Sequence, residues 1–337
     1  MKKLSYCFIC SLLLVIYSCD QGDIRVENTF QTSLDVGVNS IADSINQLND
    51  YYFKDTPPTR STIGSIVVAY ITKVVWADAV AAVKTWIGLK KGDAAKNAST
   101  ASVNAAVKGV TKVIDILREL LGHHHSSRSS VFYISNILCD TISHDSLRLS
   151  TQFNNTGIQY LDYLGEYHNN IIRELFETHN TFQHWDTLTI SNIHSSVIQS
   201  QTYLGFKNNF SNTLFPTDSL SISELIFIDR LQRIMEESTD GLDFLNNISE
   251  NDSDINDILN ILTGYNIGLN QYISGYITTS SFRNYSIQVY NTIYDSNNLP
   301  SLYKEALCSC ITIAYASSLL WSHDSSDYTE AEEEETI

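Results

Sequence analysis

Along most of the chain, apolar residues return every three or four positions, and that spacing admits little besides helices packed on helices. Phe30, Leu34, Val38, Ile41, Ile45, Leu48 and Tyr52 form one such stripe, closed by Pro57-Pro58. Ser129–Ser143 carries a shorter stripe, and Ile158–His179 another through Leu161, Leu164, Ile171, Ile172 and Leu175. Ser221-Ile222-Ser223-Glu224 has the form of a capping box opening a helix through Leu225, Ile228, Leu231 and Met235. Ile255, Ile258, Leu259 and Leu262 mark the next helix, and Ile267–Tyr294 reads as one further segment. Pro300-Ser301 starts the last, through Ala306, Cys310, Ile313 and Leu320. Thr187–Ile198 stays open between helix and strand, because Leu188 and Ile190 alternate. The expected fold is all-α, a helical bundle.

The stretch from Ile63 to Leu121 is distinct. Its first half, to Leu89, is apolar on most faces and is interrupted by Lys73, Asp78 and Lys84. Its second half is rich in Ala and Ser and ends at Gly122, with Gly88 and Gly92 in the break. The expectation is a small-residue-rich αα-hairpin near the N-terminus whose arms approach closely because Ala and Ser allow it. It is read as the most buried pair of the bundle, with a membrane-active, toxin-like hairpin as the alternative. The three charges would each be costly at the centre of a bilayer.

Hydrophobic residues at 43% exclude a disordered chain, and a net charge of −17 argues against nucleic acid as a partner, since phosphate binding needs clustered Lys and Arg. No GxSxG, SxxK, HExxH, Walker-type or GxGxxG motif is present, which lowers the expectation of an enzyme.

The N-terminus carries an address. Lys2 and Lys3 precede an apolar run, Leu4–Tyr17, too short to span a bilayer as a helix, and Ile16-Tyr17-Ser18-Cys19 follows. This resembles the lipobox of bacterial lipoproteins. The resemblance covers only the first residues and implies that Cys19 is acylated and becomes the first mature residue. More than one acyl chain there gives stable attachment. The expected location is the bacterial cell envelope, at the periplasmic or surface face of the outer membrane. Loss of residues 1–18 removes Lys2 and Lys3 and leaves a net charge of −19. The expected organisation is a signal peptide (1–18), a segment with one amphipathic helix (19–58), the hairpin (59–125), a helical domain (126–321) and an acidic tail (322–337). The tail holds Asp324, Asp327, Glu330 and Glu332 to Glu335 without a Lys or Arg, and reads as solvated and disordered.

Of the other cysteines, Cys7 and Cys10 leave with the signal. Cys139, Cys308 and Cys310 lie in apolar segments and read as buried thiols, with a bond from Cys139 to either of the other two left open. Cys308 and Cys310 diverge by about 200° on a helix and do not bond each other. His123, His124 and His125 are consecutive, so their side chains point apart, and they are weak candidates for loose metal affinity only. No cofactor is expected.

Gly165-Glu166-Tyr167-His168-Asn169 resembles a Gly-x-x-His-Asn pattern of uncharacterised bacterial proteins, which implies no activity. His168 and His179 are eleven residues apart, about three turns, and share the inner face with Leu161, Leu164 and Leu175. They read first as satisfied core histidines. The sharper alternative is an enzyme or metal binder centred on His168, with Glu166 or Glu177 as its carboxylate, although Glu166 lies off that face. Arg173 and Glu177 have the spacing of a surface pair. The expected role is a noncatalytic binding or interaction module for an unknown protein or small molecule.

Overall fold

Alternate use of small and large residues lets two helices meet along the hairpin. The computed structural model describes residues 34–54, 62–88, 93–106, 144–149, 159–178, 188–209 and 218–322. Among these, 86% are helical and there is no strand. The helices are α1 (34–53), α2 (Thr62–Ile87), α3 (94–106), α4 (Gln159–Thr178), α5 (Ile190–Gln199), α6 (Gln201–Asn209), α7 (Ile222–Glu237), α8 (Gly241–Ser249), α9 (Ser253–Ile273), α10 (Thr279–Tyr294) and α11 (Ser301–Trp321). A 3-10 turn, His144–Leu147, lies against α4.

The helices α2 and α3 run antiparallel, as the sequence predicts for the hairpin. Tyr70 Oη donates to the carbonyl of Ala106, Ser102 Oγ to Asp78, and Asn97 Nδ2 to Thr85 Oγ1. Pairs 70/106, 78/102 and 85/97 descend on one helix as they climb on the other. Every residue from Asp93 to Ala106 is buried. On α11, every residue from Ala306 to Trp321 is buried. A helix covered on all sides sits in the centre of a bundle. It runs antiparallel to α2 (Ser317 to Asp78, Glu305 to Trp86) and parallel to α4 (Gly165 by Thr312, Phe176 by Trp321). Around this centre pack α9 and α10. Tyr265 stacks on Tyr285 and its hydroxyl meets Ser286 Oγ at 2.8 Å. Asn49 of α1 donates to the carbonyl of Gly264.

The charges interrupting α2 hold tertiary contacts. Lys73 Nζ donates to the carbonyls of Met235 (3.1 Å) and Ser238 (2.9 Å) at the end of α7, where the helix dipole favours a cation. Lys84 Nζ lies 2.8 Å from Asp252, the N-cap of α9, and 2.5 Å from Asp254.

Three readings of the sequence change. The open segment at 187–198 is a helix from Ile190, because Thr189 accepts from Asn192 N–H and caps it. Ile267–Tyr294 is not one segment. Gly275 has φ of 71°, and the N–H groups of Gly275 and Tyr276 close back on Tyr272 and Gln271, which ends α9. The short α8, capped by Asp240 and burying Phe244, Leu245 and Ile248, went unseen between two longer stripes. The capping box of α7 is formed in full, Glu224 N–H on Ser221 Oγ and Ser221 N–H on Glu224 Oε2. The Ser129–Ser143 stripe, Gly122, Cys139 and the acidic tail beyond Ser322 lie outside the described residues.

At Gly165 a Cβ would stand 2.8 Å from Ala316 Cβ and 3.2 Å from two backbone carbonyls, so this seam closes only over a hydrogen. Gly165→Ala is therefore expected to destabilise the protein by about 1–3 kcal/mol. In Gly205→Ala the new Cβ has nothing within 4 Å, and a gain of about 0.5–1 kcal/mol is expected. Denaturant unfolding of the two variants checks both signs.

Candidate functional site

Asp78 stands in the middle of the apolar arm, where an ionised carboxylate without partners would be costly. Its partners come from three other helices. Oδ2 accepts from Ser102 Oγ of α3 (2.8 Å) and from Ser317 Oγ of α11 (2.5 Å). His168 Nε2 of α4 lies 3.5 Å from the same oxygen, a contact too long for a formed hydrogen bond, and Asp78 Oδ1 has no hydrogen-bond partner. Both Asp78 and His168 are fully buried. Trp321 Nε1 donates to Ser102 Oγ at 3.3 Å and closes the cluster on the α11 side.

Asn169 fixes which ring nitrogen of His168 carries hydrogen. Its Nδ2 donates to the carbonyl of Ala316 at 2.8 Å, since a carbonyl can only accept. Its Oδ1 therefore faces His168 Nδ1, at 2.8 Å, and Nδ1 is the donor. Nε2 then approaches Asp78 either as an N–H or as a bare lone pair. A lone pair against an ionised carboxylate oxygen repels, so the approach favours the protonated Asp78 carboxyl. Burial pushes the Asp78 carboxyl above its ordinary 3.8, while His168, Ser317 and Ser102 pull the other way.

This arrangement is a lock. A serine nucleophile needs its hydroxyl proton aimed at a base nitrogen. Here both serine hydroxyls are spent on the carboxylate. His168 reaches a carboxylate, but it is Asp78 from ninety positions earlier rather than a neighbour on its own helix. Glu166 lies off the inner face of α4, as its position predicts, and is half-buried. It lies 2.7 Å from Arg148 Nη2 and 3.2 Å from His144 Nδ1, and Arg148 sits 4.2 Å from the centre of the Tyr163 ring. Asp162, one turn earlier, is half-buried, and desolvation raises its carboxyl to about 6. Arg173 meets Asn170 Oδ1 at 3.3 Å, and the side chain of Glu177 lies outside the described residues.

Cys19, His123, His124, His125 and His179 also lie outside the described residues. Among the described residues, no three His, Cys, Asp or Glu side chains gather in a way that could hold a metal ion. Cys308 and Cys310 are free and fully buried, and burial pushes both thiols upward, away from the reactive thiolate. The sequence signal that would have found Asp78 is its placement, a carboxylate on an arm otherwise apolar. Ser102 and Ser317 gave no signal beyond smallness.

No family model, curated protein or solved structure matches the chain.

Asp78→Ala leaves two hydroxyls and an imidazole without their partner and is expected to cost about 3–5 kcal/mol. Asp78→Asn keeps an acceptor for the two hydroxyls and removes the titrating carboxyl, for a smaller loss of about 1 kcal/mol. Because the folded carboxyl titrates above 3.8, its contribution is fully present below that pH and is lost as pH rises through the folded value. The stability of the wild type relative to Asp78→Asn is therefore expected to fall as pH rises above about 4. A gap that stays constant across urea titrations as pH rises above about 4 refutes the raised Asp78 carboxyl.

Proposed function

We propose that this chain is a lipid-anchored, noncatalytic binding or interaction module of the bacterial cell envelope, tethered through acyl chains on Cys19. The observation that carries the reading is the complete burial of the Asp78–His168 cluster, whose serine hydroxyls bond the carboxylate and whose imidazole is closed in where four helices meet. Acid–base groups sealed in this way support stability, and the work of the protein then falls to its surface. That surface belongs to a strongly acidic chain, which favours a protein or small-molecule partner over nucleic acid.

Two measurements test the reading. Metabolic palmitate labelling is expected on the wild type and lost in Cys19→Ala, with the variant moving from the membrane to the soluble fraction. Pulldown from detergent-solubilised envelopes is expected to return a partner at defined stoichiometry. Turnover of a defined substrate that vanishes in a folded His168→Ala variant would overturn the noncatalytic role.

One observation favours a second reading. Ser65–Ile87 is long and apolar enough to cross a membrane by length and composition. A membrane-active hairpin would have to strip Lys73, Asp78 and Lys84 from the contacts described above. Dye release from liposomes by protein lacking the lipid decides it, and no release at micromolar concentration dismisses this reading.

A further inference from the structure

A second buried histidine sits at a different seam. His194 of α5 is 5% exposed. Its Nε2 lies 3.0 Å from the carbonyl of Asp218, which can only accept, so Nε2 carries the hydrogen. Its Nδ1 lies 3.4 Å from Thr100 Oγ1 of α3, and the Thr100 hydroxyl is closer to the carbonyl of Lys96, at 2.8 Å. The neutral ring thus joins α5 to α3 and to the segment before α7 with one firm bond and one bare nitrogen.

The charges around it are already engaged. From α3, Lys96 and Asp93 form a buried pair at 2.9 Å, with Lys96 one turn from Thr100 on the same side of the helix. From α6, Lys207 binds both oxygens of Asp218, at 2.6 and 2.7 Å, and Tyr203 is buried nearby. From α7, Glu224 is taken by Ser221 and Asn97. From α4, Glu174 accepts from the N–H groups of Gln201 and Thr202 and so caps α6. Among the described residues no carboxylate is within bonding distance of Nδ1, and the charge of Lys96 opposes a second proton there. Burial is the main reason His194 titrates below its ordinary 6.5, with Lys96 adding to it and Asp218 and Glu224 opposing.

We propose that His194 is an acid-operated pin. Its protonation releases α5 and α6 from α3 and α7 and uncovers the apolar side chains of Ile193, Val197, Tyr203 and Phe206, while α9, α10 and α11 stay folded. Among the described residues a charged ring inside the seam has no anion to meet, whereas opening hydrates it. The sign follows from linkage. A histidine that titrates lower when folded lends stability above 6.5, and that stability is lost as pH falls below this value.

Hydrogen exchange on the full chain between about pH 7 and about pH 5, corrected for intrinsic rates, is the test. The opening of residues 190–209 is expected to rise by up to about tenfold per pH unit, with α9–α11 unchanged. His194→Gln, which retains a donor toward Asp218, is expected to flatten the response. Asp218→Asn keeps the backbone acceptor and is expected to preserve it, separating the ring from the Lys207 pair. The proposal fails if 190–209 opens no more at acid pH, if His194→Gln retains the response, or if Asp218→Asn abolishes it. Should His194→Gln not fold, the imidazole titration of His194 in the wild type decides, and a midpoint at or above 6.5 overturns the proposal.

Discussion

A single carboxylate oxygen organises the centre of this bundle. Asp78 Oδ2 gathers a hydroxyl from α3, a hydroxyl from α11 and the imidazole edge of α4, so four helices meet at one atom. A buried ionic group is weak evidence for stability in itself, because desolvation offsets much of the attraction. Its stronger consequence is registry. Sliding any one of the four helices by a residue would carry its partner away from Oδ2 and leave a polar group alone in an apolar interior. The small residues lining α3 and the bare Cα of Gly165 let the backbones come near enough for these short side chains to reach.

The same economy governs the other charges on α2. Lys73 spends its ammonium on the carbonyl end of α7 and Lys84 on the first turn of α9. Each interruption of the apolar arm is thereby a connection to a different helix, and the arm stays compatible with a water-soluble core. That is why length and hydropathy alone describe α2 poorly: they register its composition and miss the destinations of its polar side chains.

How much was legible follows from where the information lies. The 3.6-residue period is local, and it marked α1, α4, α7 and the start of α9 directly, as the Ser221–Glu224 pattern marked the opening of α7. Short helices carry too few turns for a period to show, so α8 passed unseen and α5 stayed open until Thr189 resolved it. The turn at Gly275 was hidden by tyrosines and isoleucines that continue the pattern on both sides. The burial of His168 was readable from its helix face, but its partner was not. Asp78 and His168 are joined by packing across many elements, and no spacing in one dimension records such a meeting.

The position of α11 has a consequence for how the chain reaches this state. The helix at the very middle follows the other described helices in the chain, and its Ser317 bonds to a residue 239 positions earlier. Helices made first have no completed interior to join until α11 is available, so the decisive step of assembly comes late. Closing so long a loop is entropically slow, and until then the apolar arm of α2 stands uncovered. Loss of even the last turn of α11 therefore removes a keystone rather than an end.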